Sequence, residues 1–362
     1  MSRLDPSFWA GRRIFLTGHT GFKGSWLAFW LTRLGAQVTG YSLAPPTRPA
    51  LFDMLRLDEA MDHHIGNIRD RAALESALLN SAPDLVMHLA AQPIVSLGYR
   101  EPMETFETNV MGTVHLLEAC RRLNRDVPIL IVSSDKCYHN DGKGRAFAVG
   151  DALGGSDPYS ASKAGTEIVT NAYTASYFSG EQRPIVASAR AGNVVGGGDW
   201  ALDRLLPDCA RAFADGKPVV LRNPCATRPW QHVLEALFGY LMLVERLPTD
   251  RSLARAWNFG PPDNEVFDVG TVAGLFRDAW GDGARIKLAA QEQTWQEAAT
   301  LVLDCTETRE LLDWAPVLDI RDTVTMTAQW YKAAAESSDT TSIRRLTAKQ
   351  IEDYEERQAN RG

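Results

Sequence analysis

Tyr159 and Lys163 stand four residues apart in "DPYSASKAGTEIVTNAY". That separation puts a phenol and an amine on one face of a helix. An ammonium beside a phenol favours the phenolate, drawing its pKa down from ~10 towards the range of a useful general base. The competing reading is an ordinary exposed pair one turn apart. A second set lies in "ILIVSSDKCY", where Ser134, Asp135 and Lys136 come just after an apolar run. If that run is an interior strand, their side chains project from its end; otherwise they form a turn with two solvated charges.

A third feature is "FLTGHTGFKGSW", residues 15–26, with Gly18, Gly21 and Gly24 in the pattern GxxGxxG. The glycines fall where a strand pattern gives way to a helical one. Bare residues there permit a tight turn and let a helix N-terminus approach a pyrophosphate closely. In this context the loop reads as a dinucleotide site, and the Tyr159–Lys163 pair becomes the expected partner of a nicotinamide. The acidic residue expected about 20 positions later is missing, and Tyr41-Ser42-Leu43 stand there instead. NAD and NADP both remain open on these residues. Arg48 in "APPTRPA" reads as a solvated loop charge.

Positioning these groups requires alternating elements. "RRIFLTG", "AQVTGYSL", "HHIGNI", "DLVMHLAA", "VPILIVSSD" and "RPIVASARAGNVVG" read as strands. Helical patterns fall between them, in "SWLAFWLTRLG", "DRAALESALLNS", "ETFETNVMGTVHLLEACRRL" and "DPYSASKAGTEIVTNAYTASYF". In the last of these, Asp157 can cap the helix and Pro158 suits its first turn. Nearly continuous apolar strands alternating with helices imply an α/β fold with a parallel sheet covered on both faces. Trp26 and Trp30 belong to the core of the first helix, and Asn67-Ile68 ends the third strand. From about residue 194 the joints become rich in Pro and Gly, which suggests a smaller lobe over the C-terminal ends of the strands. The polar last segment reads as a peripheral helix or a loose tail.

The chain carries 38 Lys and Arg against 45 Asp and Glu, a net charge of −7, which argues against a nucleic-acid binder. Its five scattered cysteines, without CxxC spacing, suggest reduced thiols in the cytoplasm and no zinc site. His63-His64 opens a strand, His88 lies on an apolar one, and no HExxH occurs, so no metal is expected. The N-terminal "MSRLDPSFWAGRR" lacks an apolar signal region, and no apolar run approaches ~20 residues. A soluble protein with no membrane partner is expected.

Together, "TGHTGFKG", "HLAAQP", Asn109 in "ETNVMGT", "VSSDKCY" and "YSASK" resemble the extended short-chain dehydrogenase/reductase family. "FLTGHTGFKGSWL", "SSDKCYHN", "GNVVGGGDW" and "RPWQHVLE" are more closely similar to its sugar-nucleotide 4,6-dehydratases, over about residues 8–330. The resemblance implies a Rossmann-type doubly wound sheet over 8–193, a mainly nucleotide-sugar-binding lobe over 194–335, and a tail over 336–362. It implies NAD held by Gly18, His19, Thr20, Gly21, Phe22, Lys23 and Gly24, with Asn67 and Ile68 near the adenine. Leu89, Ala90, Ala91, Asn109, Tyr159 and Lys163 complete that set. Gln92, Asn193, Arg204, Leu221 and Arg228 are the implied substrate contacts, with the strand 218–224 clamping the base. Ser134, Asp135 and Lys136 then stand as hydroxyl, acid and base beside Tyr159 and Lys163. Lysine at 136, where many related dehydratases carry Glu, is a mark of the group acting on CDP-glucose. The implied reaction oxidises C4, eliminates water across C5 and C6, and returns the hydride to C6; a homodimer is also implied. Another nucleotide sugar, 4-epimerisation, or a non-catalytic dinucleotide-binding protein are the alternatives.

Overall fold

The computed structural model describes residues 3–180, 183–262, 266–289, 301–336 and 339–361. Seven parallel strands form the central sheet: β1 (Arg13–Thr17), β2 (Gln37–Ser42), β3 (Asp62–Ile65), β4 (Leu85–His88), β5 (Pro128–Val132), β6 (Ile185–Ala191) and β7 (Ala256–Phe259). Their order is β7-β6-β5-β4-β1-β2-β3. Every residue of β4, β5, β6 and β7 is buried, because helices cover both faces. The order reverses between β1 and β4, and in open parallel sheets ligands bind beyond the strand ends at such a reversal. The glycine turn leaves β1, residues 89–92 leave β4, and Ser134–Lys136 leave β5, so all three sets emerge along that edge.

Two apolar clusters lie on the two faces of the sheet. The larger joins Trp26 and Trp30 of helix Phe22–Arg33 to helix Val233–Arg246, and the smaller joins Phe15 and Val86 to Leu74 and Leu116. Helix Pro158–Tyr177 starts as its sequence predicts: the Asp157 carboxylate accepts from Ser160 N at 3.0 Å, and Pro158 occupies the first turn. The second lobe pairs strand Pro218–Leu221 with Arg285–Leu288 and strand Thr227–Arg228 with Phe267–Asp268. Between these pieces the chain returns to the main sheet as β7.

Three expectations need correction. The third strand stops at Ile65, so Asn67 and Ile68 lie in the loop beyond it, where Asn67 Oδ1 accepts from Arg69 N at 3.0 Å in a tight turn. The single helix expected over 104–123 is interrupted: Pro102–Phe106 and Gly112–Cys120 are α-helical, but Glu107–Met111 is a π-helical turn. The last segment, expected as a peripheral helix or a loose tail, is the helix Thr340–Ala359 but is not peripheral, because Ile343, Ile351 and Tyr354 are buried in the main core. Among the described residues, no helix is long and apolar enough to cross a membrane.

Candidate active site

The glycine turn is dictated by steric contact. Gly18 has φ +77°, and a Cβ there would lie 2.6 Å from Ala90 N. A Cβ on Gly24 would lie 2.0 Å from Gly18 O. Gly21 differs, because its Cβ would meet only Gly18 O at 3.4 Å, an ordinary contact. Gly21 is the N-cap of helix Phe22–Arg33 and offers no side-chain acceptor to that helix. The helix therefore presents bare backbone at the strand ends, a cradle suited to a pyrophosphate.

The neighbouring side chains turn inward. His19 Nε2 lies 2.6 Å from His63 Nδ1; burial, then the charges of His63 and His64, depress its pKa to about 3. Thr20 Oγ1 bonds Ser42 Oγ at 2.8 Å and donates to Leu43 O at 2.9 Å, tying the turn to the end of β2. The second ring nitrogen of His19, Nδ1, has no hydrogen-bond partner among the described residues. Phe22 packs towards Gly196. Lys23 is partly buried, with Nζ 3.4 Å from Tyr240 OH. Burial, together with Lys163 and Arg204, lowers its pKa to about 7, while Asp135 opposes them. Lys23 thus lies in the same field as the reactive cluster.

Residues 89–92 leave β4 alongside the turn. Leu89 N donates to Thr17 O at 3.2 Å and Ala90 N to Thr17 Oγ1 at 3.2 Å, and Ala91 follows them. Gln92 and Asn109 are bonded to each other and to the neighbouring helices. Asn109 Oδ1 accepts from Gln92 N at 2.7 Å, and its Nδ2 donates to Gln92 O at 3.1 Å and Ser162 Oγ at 2.8 Å. The Gln92 amide donates to Thr105 Oγ1 at 2.8 Å and accepts from Ile94 N at 2.5 Å. Both side chains are committed to joining the β4 loop to the helices. Ile68 packs on Gly112, and its carbonyl lies 3.0 Å from His115 Nδ1.

Five expected residues converge at the end of β5. Tyr159, on helix Pro158–Tyr177, is buried, and Ser134 is close enough to draw its pKa down. Ser134 Oγ donates to Asp135 Oδ1 at 2.9 Å and accepts from Lys136 N at 3.2 Å. Lys136 Nζ stands 3.9 Å from Asp135 Oδ1. Asp135 is 1% exposed, and its Oδ2 has no hydrogen-bond partner among the described residues. A Cβ at Gly192 would meet Pro229 Cγ at 2.7 Å and that oxygen at 3.2 Å, so glycine there lets the chain after β6 pack close to Asp135. Burial holds Lys163 down to about 8, against Cys137 and Glu167, which raise it. Burial also pushes Tyr159 up to about 12, although Ser134 and Arg204 pull it down. This corrects the expectation of a lysine-depressed phenol: desolvation of the ring outweighs its neighbours.

The second lobe contributes less direct geometry. Arg204, at the start of helix Leu205–Ala214, is partly exposed, with Nη1 3.3 Å from Asp199 Oδ2. Its charge reaches both Tyr159 and Lys23, so it belongs beside the cluster. Asp199, the carboxylate in "GGGDW", is an orienting group that the sequence offered without a role. Asn193 follows β6, and its carbonyl accepts from Gln231 N at 3.1 Å. Leu221 ends its strand with its carbonyl accepting from Ala289 N at 2.9 Å. Arg228 is buried, with Nη1 donating to Thr227 O at 2.7 Å.

The family model described as GDP-mannose 4,6 dehydratase matches residues 15–327. The CDP-glucose 4,6-dehydratase of Salmonella typhimurium strain LT2 is 44% identical over 335 residues, 91% of this chain and 93% of that protein. The solved dTDP-glucose 4,6-dehydratase double mutant from Streptomyces venezuelae, with NAD and DAU bound, superposes with a TM-score of 0.74 at 21% identity, covering 88% of this chain and 97% of that one. UDP-glucose 4-epimerase from Thermotoga maritima gives 0.76 at 19% identity, covering 89% and 99%. The two structural likenesses concern the fold.

Proposed function

We propose the function from family membership: this chain belongs to the GDP-mannose 4,6 dehydratase family and converts CDP-D-glucose to CDP-4-dehydro-6-deoxy-D-glucose with NAD. The observation that carries the reading is the meeting of Ser134, Asp135 and Lys136 with Tyr159 and Lys163 at one strand end, with a buried Asp135 oxygen that has no hydrogen-bond partner among the described residues. The relative at 44% identity supports the cytidine nucleotide.

The bare helix N-terminus at Gly21 fits a dinucleotide diphosphate. NAD bound there supplies a hydride acceptor for C4 and later a hydride donor to C6. Tyr159 takes the C4 hydroxyl proton, and Ser134 hydrogen-bonds the C4 oxygen. Positive charge at Arg204 and on Lys163 favours the Tyr159 phenolate that must be present to accept this proton, against the burial that disfavours it. A ketone at C4 makes the C5 proton acidic, because the carbanion is then an enolate. Lys136 removes that proton, and Asp135, protonated at Oδ2, gives one to the departing C6 hydroxyl. A 4-epimerase has no step for this acid and base, which favours dehydration. Arg204, Arg228 and Asn193 serve the nucleotide diphosphate, as planar guanidinium groups suit phosphate oxygens.

Residues 8–193 hold the dinucleotide and 194–335 mainly the nucleotide sugar. Met103, Phe106, Met111 and Ile168 expose apolar surface on the helical segments 102–120 and 158–177, which supports a homodimer paired through them. Five free cysteines support a reducing, cytoplasmic setting. The test is incubation with CDP-, dTDP-, GDP- and UDP-glucose separately, followed by mass and NMR analysis. A 4-keto-6-deoxy product from CDP-glucose is expected; turnover of another sugar in its place contradicts the cytidine assignment.

A further inference from the structure

The Tyr159–Lys163 spacing continues one turn further to Glu167, so all three side chains share one face of helix Pro158–Tyr177. Glu167 is 0% exposed and Arg190, on β6, is 2% exposed, and they form an ion pair at 2.7 Å. Burying two charges is costly unless geometry and further hydrogen bonds compensate. Here the further bonds go to specific places. Ser133, the residue before Ser134, donates to Glu167 Oε1, and Ser188 of β6 donates to Oε2 at 2.8 Å. Arg190 Nη1 donates to Tyr138 OH at 2.8 Å and to Val149 O at 2.9 Å. Tyr138 directly follows the turn Asp135–Cys137. The ion pair therefore grips the reactive turn on both flanks, at Ser133 and at Tyr138.

We propose that Glu167 is a positioning residue: with Arg190 it locks the Ser134–Lys136 turn to the helix that carries Tyr159 and Lys163, and it supplies the negative charge that Lys163 faces. The inference rests on the dehydratase reading for its catalytic consequence, but its electrostatic half stands without it. The charged and titratable groups around Lys163 are Tyr159 and Glu167 on its own helix, Cys137 on the turn, His88 on β4 and Lys23 on the glycine-turn helix, with Arg190 behind Glu167. Glu167 and Cys137 raise Lys163, whereas burial lowers it. Cys137 is itself a thiol that burial pushes upward, whereas Glu167 is held in an ion pair with Arg190 at 2.7 Å.

The experiment is the E167Q variant, read by pH-dependent acylation of Lys163 in protein without substrate, followed by mass spectrometry. Loss of the carboxylate charge leaves burial less opposed, so the half-labelling pH is expected to fall by roughly one unit. The E167D variant keeps the charge but retracts it by one methylene. Its labelling curve should match wild type while kcat on the nucleotide sugar falls about 10-fold or more, with KM changed far less. Should E167Q not fold, the double variant E167Q/R190Q removes both buried charges and carries the same expected shift. An unmoved Lys163 curve in folded protein lacking the Glu167 carboxylate overturns the proposal. Wild-type protein that dehydrates no nucleotide sugar would overturn the dehydratase reading instead, and labelling separates the two because it needs no turnover.

Discussion

Asp135 bears the most specific demand in the cleft, since its buried Oδ2 has no partner among the described residues and, in the proposed mechanism, serves as the acid. Asparagine preserves the shape and removes the proton to be donated. The D135N variant is therefore expected to oxidise C4, which needs Tyr159 and Ser134, yet to lose water about 100-fold more slowly. Accumulated reduced cofactor in a single-turnover absorbance experiment checks this; product formed at the wild-type rate would remove Asp135 from the acid role. At this scale, spacing and residue type found the Tyr159, Lys163 and Ser134–Lys136 cluster. They do not foresee the bonding of Gln92 to Asn109, because polar side chains after a strand end look the same whether they meet a ligand or each other. Only coordinates show the three Asn109 bonds to Gln92 and Ser162. The Tyr159 pKa was misjudged for a related reason: four-residue spacing reports a neighbour, not the depth of burial that outweighs it.

The glycine turn is the element on which cofactor binding depends, and its three glycines are not equivalent. A methyl at Gly24 meets Gly18 O at 2.0 Å, so G24A must displace backbone, with a stability loss of ~1–3 kcal/mol. A methyl at Gly21 meets nothing in the chain closer than 3.4 Å. G21A should therefore retain the wild-type melting temperature within a few degrees while losing co-purified dinucleotide, and G24A should lose both. Equal dinucleotide content in G21A and wild type would mean that the helix terminus is not the diphosphate site. Strands and helices of the sheet were legible because buried strands are continuously apolar and Asp157-Pro158 announces a helix. The π-turn Glu107–Met111 was not, since its extra residue follows from contacts such as Thr166 Oγ1 on Asn109 O at 2.9 Å.

The molecule is closed by its C-terminal helix, which sequence polarity disguised as a tail. Helix Thr340–Ala359 looks solvated because most of its residues are polar or charged, but its buried face docks through Glu235. That carboxylate accepts from Val317 N at 2.8 Å, Leu318 N at 2.7 Å and Tyr354 OH at 2.6 Å, and burial raises its pKa to about 7. A raised pKa means the native state prefers the protonated acid. Stability from this group is thus full below about 4.5 and declines as pH rises through about 7. Glutamine copies the protonated form at every pH. E235Q should match wild type near pH 5 and exceed it near pH 8, by ~3 kcal/mol at most. Denaturant titrations at both pH values decide this, and a difference independent of pH would contradict it. The reaction cycle is likewise a property of the whole molecule, because a hydride removed at C4 must be held within one closed site until it is returned. The most direct measurement is turnover of CDP-glucose deuterated at C4, analysed by NMR and mass spectrometry. Deuterium at C6 of the 4-keto-6-deoxy product is the expected result, and its loss to solvent would contradict internal hydride return.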